Sequence, residues 1–371
     1  MPKTKKVRKV AVAMSGGVDS SVAAAMMVEQ GFEVIGLTMQ LYDSGRVTAS
    51  GSKTCCAGQD IYDAKRVSDK LGIKHYTLDY EKRFLDNVIK DFADSYANGV
   101  TPIPCIRCNQ KMKFRDLLNT SLDLGADFLV TGHYASIKGK DDEIALYRAK
   151  DISRDQSYFL FATPQEVLKN IFFPLGDLTK NETRDYAKKM NLSISDKPES
   201  QDICFVQSTA KRGYREIVQK LRPDVKKSGD IIHVNGEVMG KHDGLDSFTV
   251  GQRRGLGVIS SDGTPLYVTK IDSEKNNIYV GSQNDMAIRK FNISELVWLD
   301  KKNKNMDIIK EIDVQLSSEH ITQKASISLN GSNQASIVLN EPNYRVAPGQ
   351  ACVVYDNDRV LGGGWISGNL S

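Results

Sequence analysis

Two groups of residues in this chain have types and spacing that could do chemistry. The first is Ser15-Gly16-Gly17-Val18-Asp19-Ser20, set between an apolar run and a helical pattern. Backbone amides at a helix N-terminus bind anionic oxygen through unpaired donors and aligned dipoles. Glycines let the backbone close on a phosphate, and serine hydroxyls add donors. A plain tight turn with Ser15 or Ser20 as a helix cap would account for part of this pattern, but not for the whole combination. Asp19 among phosphates would repel them, so a cation such as Mg²⁺ is its expected partner. The loop has no Gly-Lys-Ser/Thr and no G-x-G-x-x-G, which excludes a Walker loop and a dinucleotide fingerprint. The second group is cysteine. Cys105 and Cys108 stand in "TPIPCIRCNQKMKF", just before a basic stretch, and Cys204 follows the polar Ser200-Gln201-Asp202. A thiol near a helix N-terminus and cations is expected to have a lowered pKa. A lone cysteine between Ile and Phe is more often a small buried hydrophobe, and only the polar context raises Cys204 above that.

The elements that must position these residues alternate. Residues 9–14 read as a buried strand, 18–30 as a helix ending at Gly31, and "FEVIGLTMQL" as a second strand. "GQDIYDAKRVSDKLG" reads as a helix closed by glycine, "KHYTLDY" as a strand, and a helical region starts near Phe84. "TPIPCIRCNQ" is expected in a loop, with a helix over 111–124 and a strand in "ADFLVTGHYA". Strands alternating with helices predict an α/β fold, a doubly wound parallel sheet with ligands at the carboxyl ends of its strands. Beyond about residue 210 the texture becomes short alternating runs with Gly and Asn turns, which predicts a small mostly-β central domain and then a β-barrel. The expected domains are 1–210, 211–285 and 286–371.

Composition narrows the class. The chain has 371 residues, too many for one typical core, with 40% hydrophobic and 26% charged residues. No apolar run is long enough to span a membrane. The basic-then-apolar start runs directly into the glycines without a small-residue cleavage pattern, so a solvated tail is expected rather than a secretory signal. Net charge is +4, which decides nothing alone, and the basic residues between Lys211 and Lys227 fit a solvated helix face. Six cysteines in a chain this long point to free thiols, metal ligands or redox chemistry in the cytosol rather than a disulfide framework. Cys55, Cys56 and Cys352 are expected to be structural, and His75, His233, His242 and His320 to be surface or satisfied core histidines.

The glycine loop resembles the pyrophosphate loop of the N-type ATP pyrophosphatases, which cleave ATP between the α and β phosphates. Adding "TPIPCIRCNQKMKF", "TGHYA", "DQSYFL", "SQDICFV", "VGQRRGLGV" and "APGQA", in this order, nearly the whole chain resembles the tRNA-specific 2-thiouridylase family. That resemblance implies ATP held by Ala13, Met14, Ser15, Gly16, Gly17, Val18, Asp19 and Ser20, with Met39 and Gly132 on the adenosine side. It implies His133 near the RNA and tRNA contacts through Arg154, Asp155, Gln156 and Gln350. Cys204 would carry a persulfide received from a sulfur-donor protein, and Cys108 would be the second catalytic cysteine, able to form a disulfide with Cys204. The O2 of a wobble uridine would be adenylated, and sulfur would displace AMP. "GQRRGLG" is expected to touch tRNA phosphate.

Two positions depart from the common pattern of that family. Cys105 stands where many members have an acidic residue, so Cys105, Cys108 and Cys204 could instead hold a 4Fe-4S cluster with one open iron. Ser317, Ser318 and Glu319 replace basic residues of the RNA-facing barrel. Two other classes compete. A synthetase adenylating a small molecule leaves the cysteines and the β domains without a role, and a module binding nucleotide without turnover leaves the reactive cysteine without one.

Overall fold

The computed structural model describes residues 8–42, 56–198, 203–206, 213–300, 308–331 and 333–367. The chain forms two compact units. One comprises Met1–Asn87, Cys105–Phe205 and Asp358–Val360; the other comprises Val88–Pro104, Val206–Asn357 and Leu361–Ser371.

The first unit is built on a parallel sheet. Its first four strands are β1 (Lys9–Ala13), β2 (Glu33–Gln40), β3 (Lys74–Asp79) and β4 (Phe128–Thr131), and Ile171–Phe172 is the fifth. Their spatial order is β3-β2-β1-β4 followed by Ile171–Phe172, and the four pairings are parallel. β1 has the burial of a central strand, with Val10, Ala11 and Val12 almost fully enclosed. A strand with both faces covered reads as a continuous apolar run, and "VAVA" does. The chain runs outward from β1 to β2 and β3 on one side and reaches β4 on the other. This reversal opens a crevice at the carboxyl ends of β1 and β4.

Helix α1 (Val18–Glu29) follows β1. Its Ala23, Ala24 and Ala25 are buried with Val22 and Met27, against Val67 of helix α2 (Cys56–Leu71) and Ala187. Small side chains allow this close approach. Gly31 and Gly72, just beyond the two helices, take positive φ as C-terminal stops.

The expected loop around the first cysteines is helical. A short helix Pro104–Arg107 continues into a π-helical stretch, Cys108–Leu117, and then into Leu118–Asp123. Proline is tolerated in the first turn because its missing N–H would have no helical partner there. In the π stretch each turn takes up an extra residue. The buried pairs Asn109/Phe114 and Met112/Leu117 are both five apart.

The second unit holds two β systems. The strands Tyr267–Asp272, Asn277–Gly281, Gly229–His233 and Val238–His242 form a four-stranded sheet in that order. Six strands then close a barrel in the order Ile288–Trp298, Gln334–Asn343, Thr322–Leu329, Ile308–Gln315, Ala351–Asp356 and Arg359–Ser367. Ile288–Trp298 pairs back onto Arg359–Ser367 and removes the free edges. Phe291, Ile293, Val314, Ile327, Ile337, Leu339, Cys352 and Val354 fill the interior. Cys352 is thus a core residue, as expected. The expectation for Cys55 and for the side chain of Cys56 lies outside the described residues. No helix among the described residues is long and apolar enough to cross a membrane.

Candidate active site

The glycine loop joins the end of β1 to α1. Met14 N–H donates to Leu37 O at 2.8 Å and so extends the sheet to the loop's first residue. Ser15 N–H donates to Ser20 Oγ at 3.1 Å, and the two serine hydroxyls are 3.2 Å apart. These serines tie the loop to itself. The N-cap of α1 is Gly17, and no side chain caps it. The reading of Ser15 or Ser20 as an ordinary cap is therefore excluded, and the helix end is left in the form that receives an anion. Two glycines are sterically required. Gly16 has φ +73°, and a Cβ there would lie 2.2 Å from Asp60 O. A Cβ on Gly132, just past β4, would lie 2.6 Å from Ser20 N. The β4 turn thus presses directly on the first turn of α1. Met39 lies half-buried near the end of β2.

Asp19 is held by residues that the sequence pattern did not single out. Lys180 Nζ donates to both carboxylate oxygens, at 2.7 and 2.9 Å, and Tyr134 OH donates to Oδ1 at 3.0 Å. Lys180 is buried and lies 5.7 Å from the Tyr134 ring centroid. It opens the helix Lys180–Lys189, whose start is fixed by a capping box between Thr179 and Glu182. The T-x-x-E signature in the sequence marks that helix start but not where its lysine points. A second cation, Lys197, donates to Gly16 O at 3.0 Å, Asp60 Oδ1 at 2.8 Å and Asp63 Oδ2 at 2.6 Å. Burial works against its charge, but the hydrogen bonds to Asp60 and Asp63 outweigh this, and its pKa is raised. Two ammonium groups therefore flank the loop, one at its aspartate and one at its backbone.

Cys105, Cys108 and Cys204 are free thiols. Cys105 and Cys204 reach solvent and Cys108 is half-buried, yet protein atoms crowd all three. Burial raises the Cys105 thiol, pushes Cys108 up to about 11 and pushes Cys204 up to about 12. This overturns the expected lowered pKa at the helix start: Lys113 does pull all three down, but desolvation is the larger effect. Cys204 also feels the charges of Cys108 and Cys105, which brings the three sulfurs into one electrostatic neighbourhood. Among the described residues, however, no group of three His, Cys, Asp or Glu side chains is arranged to hold a metal ion.

His133 sits beside this group. Lys113 Nζ is 3.4 Å from its Nε2, and Thr131 Oγ1 is 2.7 Å from its Nδ1. An ammonium can only donate, so Nε2 accepts and Nδ1–H donates to Thr131. Burial, then Lys113, hold its pKa well below the ordinary value, and the ring is neutral. Phe114 and Phe173 flank it, with centroids 5.9 and 5.8 Å away.

The three residues expected to touch RNA in "RDQ" separate. Arg154 is exposed, and Gln156 is half-buried, its Oε1 accepting from Tyr134 N–H at 3.0 Å. Asp155 is 1% exposed and accepts from Arg148 Nη1, Ala149 N–H and the Ser157 hydroxyl at 2.7–3.0 Å. Its side chain organises this turn from inside, so its carboxylate is already engaged by protein donors. In the second unit, Gln350 Nε2 donates to Thr101 O at 3.1 Å. Ser317 and Glu319 line a barrel-wall cavity of about 260 Å³ with Tyr344 and Arg345, and Arg345 pairs with Glu319. Arg215 pairs with Asp246 and Arg222 with Asp94, so these two basic residues are engaged within the unit. Arg253 and Arg254 of "GQRRGLG" are exposed.

Comparison with known proteins agrees along the whole length. Three family models match in succession: a tRNA methyl transferase HUP domain over residues 8–208, a tRNA methyl transferase PRC-barrel domain over 216–282, and an aminomethyltransferase β-barrel domain over 288–366. The chain is 50% identical over 363 residues to the tRNA-specific 2-thiouridylase MnmA of Rickettsia massiliae, covering 98% of this chain and 97% of the relative. It is also 50% identical to the proteins of that name from Rhodospirillum centenum, with 96% and 91% covered, and from a Wolbachia of Drosophila simulans, with 96% and 94% covered. With this identity sustained from end to end, and the glycine loop and cysteines in one unit, the chain belongs to the tRNA-specific 2-thiouridylase MnmA family.

Proposed function

We propose that this protein is an ATP-dependent tRNA sulfurtransferase that converts the wobble uridine of its tRNA substrates to 2-thiouridine. The observation that carries this is the placement of Cys108 and Cys204 in the same unit as an uncapped glycine loop, in a chain whose full length is shared with 2-thiouridylases. In this mechanism Ala13 to Ser20 cradle the ATP phosphates, and Met39 and Gly132 border the adenosine. The uridine O2 attacks the α-phosphorus and pyrophosphate leaves. Lys180 and Lys197 supply positive charge at the loop while negative charge moves onto the leaving group. Mg²⁺ would supply further charge neutralisation on the phosphates. Asp19 is the protein group placed to hold it, after sharing or losing Lys180.

Sulfur arrives as a persulfide on Cys204, delivered by a donor protein. Its terminal sulfur attacks C2, and AMP departs with the former O2. The Cys108 thiolate then attacks the Cys204 sulfur, the S–S bond breaks toward the uridine, and a Cys108–Cys204 disulfide remains. The sulfane sulfur is reduced and the two cysteines are oxidised, so the electrons balance. A reductant must restore the thiols before the next turnover. His133, neutral beside Lys113, borders the place where the base must enter. Arg154, Gln156, Gln350, Arg253 and Arg254 are the proposed tRNA contacts. The division into 1–210, 211–285 and 286–371 and a cytoplasmic location belong to the same proposal.

The test is thiolation of unmodified tRNA by Cys108→Ser and Cys204→Ser. Each should form no 2-thiouridine while still binding ATP, and normal thiolation by either removes its catalytic assignment. Anaerobic purification with iron and labile-sulfide assays decides the carrier. Activity of the iron-free protein with a persulfide donor supports the relay; activity only with iron bound gives Cys105, Cys108 and Cys204 to a 4Fe-4S cluster. AMP formation that depends on a small molecule instead of tRNA would favour a synthetase.

A further inference from the structure

Cys204 must deliver sulfur to a carbon activated at the glycine loop, so its distance from the carboxyl ends of β1 and β2 has to be set by something. Three contacts set it. Tyr42 lies two residues beyond β2, and its hydroxyl donates to the backbone carbonyl of Cys204 at 2.6 Å. The next residue, Phe205, is buried and meets the Phe84 ring edge-on at 5.7 Å. Phe84 is fully enclosed, and the Tyr42 ring lies 6.5 Å from it.

The platform under the turn is itself tied to the end of β2. Tyr80 N–H donates to Gln40 O at 2.9 Å, and Gln40 Nε2 donates to Glu81 Oε1 at 2.6 Å. Glu81 and Phe84 belong to one short helix. The Cys204 turn is thus clamped between a hydroxyl on one side and an aromatic socket on the other, both referenced to the strand that carries Met39. An aromatic contact fixes where the turn sits. The hydrogen bond fixes its rotation, because it holds the peptide carbonyl of the cysteine itself.

We infer that Tyr42 is a positioning residue for sulfur transfer: its hydroxyl docks the Cys204 turn at the end of β2 so that the sulfur meets the activated uridine before water does. The assignment rests on the sulfur-transfer reading of Cys204. It makes a prediction that a structural role does not. An adenylated uridine that waits for a misplaced sulfur is hydrolysed to AMP and unmodified uridine. Loss of the hydroxyl should therefore uncouple the two half-reactions rather than slow both.

The variant is Tyr42→Phe in the full chain, which keeps the ring against Phe84. With ATP, unmodified tRNA and a small-molecule persulfide as sulfur source, AMP released per 2-thiouridine formed should rise roughly three- to tenfold, the effect of one lost hydrogen bond. Alkylation of Cys204 by iodoacetamide, read by mass spectrometry without tRNA or ATP, should change rate by a similar factor. An AMP-to-thiouridine ratio equal to wild type overturns the assignment, and so does a parallel fall in both products. Cys204→Ser is run beside it. If that variant still thiolates, the sulfur-carrier reading fails, whereas a dead Cys204→Ser with a coupled Tyr42→Phe sinks the positioning role alone.

Discussion

The glycine loop and the cysteine neighbourhood lie in one unit and are built on opposite principles. The loop is made from consecutive residues, and its working groups are backbone amides. Ser15, Ser20 and Gly17 tie it together within a span of six residues, and Gly16 and Gly132 supply the close approach. The cysteine site is assembled from side chains on segments far apart in sequence, and burial sets its chemistry. A helix start beside Lys113 ought to favour thiolate, yet Cys108 stands near 11 and Cys204 near 12. The contrast teaches that a backbone-built site has its properties before anything packs on it. A side-chain site acquires them only when the surroundings close, and here also when a substrate or a persulfide changes them.

Substitutions should break the two sites differently. The largest effect is expected for Gly16→Ala. The left-handed backbone costs about 1–2 kcal/mol for a residue with a Cβ, and the contact with Asp60 O adds to it because a backbone atom cannot step aside. ATP binding measured by calorimetry should be lost, and the melting temperature should fall by about 4 °C or more. Unchanged ATP affinity would mean that the loop does not hold phosphate.

Lys180→Met comes next. It removes a charge-assisted hydrogen-bonded pair, leaves Asp19 unbalanced and strips one cation from the loop. AMP formation should fall about ten- to a hundredfold, while the rate of Cys204 alkylation stays at the wild-type value. A fall in alkylation as well would show that the two sites are less separable than their construction implies.

Lys113→Met should have the smallest effect and the most specific one. Lys113 lowers the thiols of Cys105, Cys108 and Cys204, so its loss raises them further. The ascending limb of the alkylation and thiolation pH profiles should move to higher pH. Activity at neutral pH should drop a few-fold and recover as the pH is raised. His133, which Lys113 also holds down, should titrate closer to its ordinary value by NMR. An unmoved profile would take the lysine out of the sulfur chemistry.

Legibility in the sequence follows the same division. The parallel sheet, α1 and the loop could be read because apolar periodicity and glycine are local signals, and the barrel because its strands alternate. The reactive residue types were legible too, but their state was not: Cys105, Cys108 and Cys204 are desolvated by tertiary packing, and Phe114 and Phe173 are brought against His133 in the same way. Lys180 and Lys197 were missed because nothing local in "LTKNETRD" or "ISDKPE" says that these lysines face a loop at the other end of the unit. The enclosure of Asp155 was not legible for the complementary reason. A charged residue between Arg and Gln looks solvated until Arg148 and three turn donors enclose it.

The π-helical winding of Cys108–Leu117 has a consequence for how this segment tolerates changes in length. Side chains five apart are stacked along it, so Cys108 and Lys113 share a face, as do Asn109 and Phe114. Deleting Gln110 would let the stretch relax to ordinary α winding with Asn109 and Phe114 four apart. Their shared buried face would survive while the helix lost one residue of contour. The segment thus behaves as a helix carrying a built-in insertion: without Gln110 the cysteine and the lysine would also stand four apart on one face, so the extra residue adds length to the segment without being needed for that pairing.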